Sequence, residues 1–250
     1  MNRILITVCG RAGSKGLKNK NLKIFLEKPL VYYTLASAFD FKSRSVDTEV
    51  DICLNTDSLE LQNLIKEKYP EVIIINRPKY LCDDTVAKIA VYKHCLAYME
   101  NLYQLKYNYV IDLDITSPLR QKNDVINAYN YKLERTDLDL VFSVCDSRRN
   151  PYFNMVEKQG NYTKKILASD FVTRQQAPLI YDMNASIYIF NSDFLRNKNN
   201  MWEALCDIYL MKDTSVLDID SEEDFEFMEI IGKYLYNKFE SYSYIRNFIR

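Results

Sequence analysis

Glycine is scarce, with 5 in 250 residues, histidine occurs once, and 33 Lys+Arg against 34 Asp+Glu leave a net charge of -1. Each shortage excludes something. A near-neutral chain has no global field to hold a polyanion, which argues against a nucleic-acid coat and leaves phosphate binding to a local arrangement of residues. The lone histidine, His94, has only Cys95 beside it as a soft partner. A zinc site or a Ser-His-Asp relay would have to be built around that one residue, so His94 reads as structural. Cys9, Cys53, Cys82, Cys95, Cys145 and Cys206 show no C-x-x-C spacing, and a chain this long needs no disulfide staples. They read as reduced thiols of a cytoplasmic protein. The apolar run from Ile4 to Cys9 is too short for a signal-peptide core or a membrane span, so neither export nor a membrane partner is expected. Repeats, low-complexity tracts and linkers are also missing. The 48% hydrophobic and 27% charged side chains suit a globular protein with one large core or two small ones.

Strand-length apolar runs alternate with segments of helical period. Strands are predicted at Ile4–Cys9, Val50–Leu54, Val72–Ile75, Tyr109–Leu113, Leu138–Val144 and Ser186–Phe190. Helices are predicted from Leu30 through Phe39, over Ser58–Lys68, Ala87–Leu105 and Asn123–Leu133, and from Ser221, whose hydroxyl can cap the last one with Asp224. This alternation implies a Rossmann-like α/β fold, a mostly parallel sheet with helices on both faces, spanning residues 1–250 as one domain. Residues 146–182 lose the pattern, with turns at Asn150-Pro151, Gln159-Gly160 and Ala177-Pro178, and read as an inserted excursion. Ligands of such sheets bind beyond the carboxyl ends of the strands, so loops 10–21, 55–58, 76–85 and 114–121 should face one site.

The first of these loops is the most informative. Cys9-Gly10-Arg11-Ala12-Gly13-Ser14-Lys15-Gly16-Leu17-Lys18-Asn19-Lys20-Asn21 holds three of the five glycines, interleaved with four cations. Glycine lets backbone N–H groups curl round an anion, and the cations neutralise several phosphate charges. The run reads as a triphosphate cradle or, more plainly, as a solvated basic turn. It is neither a Walker A loop nor the dinucleotide G-x-G-x-x-G.

R-x-G-S-K-G-x-x-x-K-N after the first strand resembles the signature of the acylneuraminate cytidylyltransferases, the CMP-sialic acid synthetase family. Four later segments resemble the same family in order: Arg77-Pro78 with Leu81 and Asp83-Asp84-Thr85; Thr116-Ser117-Pro118-Leu119-Arg120; Arg174-Gln175 through Asn184 to Tyr188; and Asp218-Ile219-Asp220-Ser221-Glu222-Glu223-Asp224. The runs 148–154 and 181–188 look most like the bacterial branch that activates legionaminic acid. The resemblance implies transfer of CMP from CTP to the anomeric hydroxyl of a nonulosonic acid, releasing pyrophosphate. The same reaction on N-acetylneuraminic acid, pseudaminic acid or Kdo is an alternative, as is a silent nucleotide-binding protein.

Carried over by residue, the resemblance implies that Arg11, Gly13, Ser14, Lys15 and Lys20 hold the phosphates, with Asn21 near the nucleotide and Arg11 and Lys20 also stabilising the leaving group. Arg77 would read the cytosine edge, or be a surface charge before a turn. Asp84 would be a nucleotide ligand, or cap a helix starting near Thr85. Asp218 and Asp220 alternate on an extended segment and so share a face, which suits Mg²⁺ or Mn²⁺; the alternative is a loop capping the last helix. On the acceptor side the resemblance implies Asp114, Thr116, Ser117, Arg174, Gln175, Asp182, Asn184 and Tyr188, with Arg174 gripping the sugar carboxylate. Asp114 stands where the family commonly has a neutral amide, and Asp182 where it has a cation. Two acceptor-only groups there would favour a sugar offering N–H donors. A homodimer is also implied, with the excursion crossing to the partner and Arg174 serving the neighbour's site.

Overall fold

Side-chain alternation in the first strand decides the layering. In the computed structural model, which describes residues 1–13, 16–212, 214 and 219–250, strand β1 (Asn2–Cys9) sends Ile4, Ile6 and Val8 into one core and Leu5 into another. Successive residues of a strand face opposite sides, so a strand apolar at every position must be covered on both. The further strands are β2 (Ile24–Phe25), β3 (Lys28–Pro29), β4 (Thr48–Thr56), β5 (Ile73–Asn76), β6 (Tyr109–Leu113), β7 (Leu140–Asp146), β8 (Val156–Gln159), β9 (Tyr162–Lys165), β10 (Tyr181–Asn191) and β11 (Cys206–Leu210). The main sheet runs β11-β7-β10-β6-β1-β4-β5, parallel except for β10, which is antiparallel to both neighbours.

Helices α1 (Leu30–Arg44), α2 (Leu59–Lys68), α3 (Lys88–Tyr103), α4 (Asp124–Glu134), α5 (Ser192–Asn197), α6 (Glu222–Lys238) and α7 (Glu240–Arg246) cover the faces. Residues of α1, α2, α4, α6 and α7 enter the core of Ile4, Ile6 and Val8, while α3 and α5 supply the core of Leu5. The expected fold class stands. The capping box of α6 is present, the Asp224 N–H donating to Ser221 Oγ at 3.1 Å and the Ser221 N–H to the Asp224 carboxylate at 2.8 Å. All six cysteines are free thiols. No helix among the described residues is long and apolar enough to cross a membrane.

Several boundaries differ. Strand β10 begins at Tyr181, ahead of Ser186, because Tyr181–Met183 pair with β7 before a bulge interrupts the ladder and pairing resumes at Tyr188. Edge strand β11 and short helices α5 and α7 had no clear periodic signal. The excursion holds the β8–β9 hairpin, exposed along nearly its whole length, and a short turn of helix at Arg174–Gln176. Its Tyr152 and Phe171 are half-buried against each other, ring centroids 6.3 Å apart and edge to face.

The chain leaves β1 for β4 and β5 on one side, then returns to β6 on the other, so a crevice opens between the loops after β1 and β6. Arg120 holds the second loop. Fully buried, it donates to the backbone oxygens of Asp114 and Ser186, both at 2.7 Å, and to Thr34 Oγ1 at 3.2 Å. Burial lowers its pKa to about 10, opposed by Asp114, Asp112 and Asp124.

Asp124, buried at the start of α4, accepts a 2.7 Å bond from the Gln121 N–H, yet burial dominates and lifts its pKa to about 6. The folded form therefore binds a proton more readily than the unfolded chain. Its contribution is fully present near pH 4 and is lost as pH rises through about 6. Asp124→Asn keeps the acceptor without the charge. It should stabilise the protein at pH 7.5 by on the order of 2 kcal/mol, by about half as much at pH 5 and by little at pH 3, as read from urea unfolding at the three values.

Candidate active site

The loops after β1, β5 and β6, joined by the segment before α6, enclose a cavity of about 410 Å³. Arg11, Lys20, Asn21, Arg77, Asp84, Asp114, Thr116 and Asp220, all named from the sequence, line it. Ser14, Lys15 and Asp218 lie outside the described residues.

The cations in this cavity are already partnered. Arg11 forms an ion pair with Asp84 and donates to the Cys82 carbonyl at 3.2 Å. Lys20 Nζ lies 3.1 Å from the Asp220 carboxylate and donates to the Ile219 carbonyl at 2.9 Å. Asp84 therefore pairs with the phosphate loop and is no helix cap, since α3 starts only at Lys88 and its N-cap, Ala87, makes no side-chain bond. Asp83 makes the local turn instead, accepting from the Thr85 N–H and hydroxyl at 2.9 and 2.7 Å. The loop backbone is not all turned to the cavity, because the Ala12 N–H donates to Asp57 Oδ1 at 2.7 Å. Gly13, in the left-handed region at φ 72°, does not line the cavity. Asn21 backs the loop, donating to the Arg11 carbonyl at 3.3 Å.

Arg77 is buried rather than a surface charge. Its Nε donates to Asn55 Oδ1 at 2.6 Å and its Nη2 to the Asn55 carbonyl at 3.1 Å, which fixes the guanidinium plane against the end of β4. His94 Nδ1 lies 3.3 Å from the Asn55 amide nitrogen. Partial burial and Arg77 lower its pKa, so a neutral His94 braces Asn55, consistent with a structural role.

Asp114 does not face outward as a free acceptor. Its Oδ1 accepts from the Thr116 N–H and hydroxyl at 2.9 and 2.8 Å, and its Oδ2 pairs with Lys88. Burial works to raise its pKa, but Lys88 and the Thr116 bonds prevail and bring it to about 2. Beneath it Asp112 is buried, accepting from Thr7 Oγ1 at 2.7 Å and the Tyr92 hydroxyl at 2.9 Å.

A second, largely apolar cavity of about 330 Å³ adjoins the first, sharing Lys88 and Tyr92 and adding Tyr188, Phe190, Met201 and Trp202. Tyr188, named from the sequence, belongs here, stacked on Phe142 at 6.1 Å. Several other acceptor-side residues stand outside both cavities within one chain. Asn184 is buried beside the β10 bulge, its Oδ1 taking the Ser143 hydroxyl at 2.6 Å and its amide facing sulfur of Cys145 and Met211. Ser117 is buried and lines neither cavity. Arg174 donates to the Ser147 carbonyl, and with Gln175 and Asp182 it lies outside both cavities. Lys88, Tyr92, Asn55 and Trp202 were missed; they carry no motif, and only the tertiary fold brings them together.

A phosphate loop at the switch point of a mostly parallel sheet, with a buried arginine aimed into the crevice, defines an α/β nucleotide-binding protein. Residues 5–243 match the family model for cytidylyltransferases, and the chain belongs to that family as a CTP-dependent nucleotidyltransferase. It is 36% identical to the post-translational flagellin modification protein B of Campylobacter coli, over 93% of this chain and 96% of that one. It is likewise 36% identical to the CMP-N,N'-diacetyllegionaminic acid synthase of Campylobacter jejuni, over 92% of this chain and 95% of that one. A solved CMP:2-keto-3-deoxy-manno-octonic acid synthetase complexed with CTP shares the fold at a TM-score of 0.66 and 13% identity, covering 93% of this chain and 99% of its own.

Gly16 sets the closure of the cavity. A β-carbon there would overlap the Asp220 carbonyl oxygen, so the phosphate loop and the Asp220 segment touch only because residue 16 has no side chain. Gly16→Ala should part them, lowering kcat/KM for CTP by about 10- to 100-fold, since displacements near 1 Å cost that much, with the melting temperature nearly unchanged.

Proposed function

We propose that the protein transfers CMP from CTP to the anomeric hydroxyl of a nonulosonic acid, N,N'-diacetyllegionaminic acid by preference, releasing pyrophosphate. The observation that carries this reading is the continuity of the cationic cavity with an apolar one. A triphosphate suits the first. A sugar acid with acylamino groups and a terminal methyl suits the second, where aromatic faces take the methyls. The likeness to the Campylobacter synthase supports the same acceptor. Asp114 is not a free acceptor for the sugar, since both its oxygens are occupied.

The hydroxyl attacks the α-phosphorus in line, so the protein's work is positioning and charge neutralisation. Arg11 and Lys20 meet the triphosphate, exchanging Asp84 and Asp220 for phosphate oxygens. Arg77, held by Asn55, donates to the O2 and N3 acceptors of cytosine. Asp220, exposed at the cavity, offers a hard oxygen donor. Mg²⁺ takes one or two carboxylates and fills the rest with phosphate and water, which an exposed carboxylate at the cavity can meet. Asp220, aided by Asp218, would hold it, and the ion would supply charge to the α-phosphate.

A homodimer completes the reading. The excursion exposes Val156, Tyr162, Val172 and Leu179, which a second copy can cover while receiving Arg174. Free nucleotide and sugar substrates place the work in the cytoplasm.

With CTP and Mg²⁺, a panel of N,N'-diacetyllegionaminic, pseudaminic, N-acetylneuraminic and Kdo acids should rank the first highest. Its kcat/KM should exceed that for N-acetylneuraminic acid by about 10²-fold, the order expected of one or two matched hydrogen bonds. A preference for N-acetylneuraminic acid refutes the acceptor; no pyrophosphate with any acid refutes the transfer. Chelation should abolish turnover, and Asp220→Asn should lower it by at least about 10²-fold by removing the charge that a hard cation needs. Full activity in chelator would leave Asp220 only its ion pair with Lys20.

A further inference from the structure

Lys88 sits where a lysine is electrostatically out of place. It is the first residue of α3, whose N-terminal turn carries no acidic residue, and the N-terminus of a helix repels cations. Asp114 offsets this by direct ion pairing, and buried Asp112 adds negative charge nearby. These groups raise the lysine's pKa although partial desolvation works the other way, and Asp114 titrates near 2. At neutral pH neither group can act as a proton shuttle, so the pair is a fixed charge device.

An ammonium has three N–H donors, and Asp114 takes one. The side chain is half exposed, on the wall shared by the two cavities. Among the described residues, Lys88 is the only charged one lining the apolar cavity. That environment suits a largely uncharged ligand with a single negative charge at the end nearest the nucleotide. It does not suit a triphosphate, for which Arg11 and Lys20 stand elsewhere in the polar cavity. The reaction must also bring an anionic acceptor up to polyanionic CTP, and a cation between the two reduces their repulsion.

We propose that Lys88 binds the acceptor's carboxylate, with Asp114 as its positioning residue, so that within one chain this contact belongs to Lys88 and not to Arg174. The inference rests on the proposed transfer to a sugar acid.

The test couples a change in the protein to a change in the ligand. Protein loaded with α,β-methylene CTP, which blocks transfer, is titrated by calorimetry with N,N'-diacetyllegionaminic acid and with its methyl ester. Wild type should bind the acid about 30-fold more tightly than the ester, the order of one charge-assisted contact. In Lys88→Met the two should bind within about threefold of each other, while α,β-methylene CTP affinity changes less than about threefold, which also reports an intact fold. Lys88→Arg should recover part of the discrimination, and Asp114→Asn should lose part of it. An acid-to-ester ratio kept in Lys88→Met, or wild type binding both equally, overturns the assignment. Failure of the proposed function is distinguishable, because wild type would then turn over no acid with CTP.

Discussion

The buried guanidinium of Arg120 is the contact on which the site depends. It joins α1 through Thr34, the loop after β6 through the Asp114 carbonyl, and β10 through the Ser186 carbonyl, where the β6–β10 ladder ends with the Asp114 N–H donating to the Ser186 carbonyl at 3.3 Å. A charge so deeply placed is costly unless its donors are satisfied, and among the described residues its Nε has no partner. The Thr34 hydroxyl also donates to the Asp114 carbonyl at 3.0 Å, so the guanidinium reinforces a contact between α1 and the loop. With the Asp114 backbone pinned, its carboxylate turns to Thr116 and Lys88 and sets the wall between the two cavities.

The same economy of charge governs the phosphate side. A protein of net charge -1 still concentrates Arg11, Lys20 and Arg77 in one crevice. Without ligand, Asp84 and Asp220 neutralise two of these cations, while Asn55 holds the third by neutral acceptors. In the proposed reaction, exchange of carboxylate for phosphate partners would let the loop bind a polyanion. Each cation is pre-oriented, and orientation is what an in-line displacement requires of the protein.

Much of this was legible before any coordinates. The strand and helix order, the mostly parallel sheet and the α6 capping box at Ser221 and Asp224 follow from local periodicity and from bonds between residues close in sequence. The glycine-rich loop stood out because three of the five glycines fall in it, interleaved with four cations. The acceptor side was read less well. Asn184 looked like a ligand, yet the β10 bulge buries it on Ser143, and Asp114 looked like a free acceptor until Lys88 closed on it.

By itself the sequence determined the layered α/β class, the place of the glycine-rich basic loop after the first strand, and Arg11, Lys20 and Asp220 as residues that meet at one cavity. Those features depend on side-chain period, backbone freedom at glycine and charge within short stretches. Only the tertiary structure decided that Asn55 orients Arg77, that Asp114 is engaged by Lys88, that Arg120 ties Thr34 to Ser186, and that Trp202 walls an apolar cavity beside the cationic one. Those contacts join residues far apart in the chain, and their geometry is set by strand order and register, which depend on how whole elements pack and not on the local pattern at either residue.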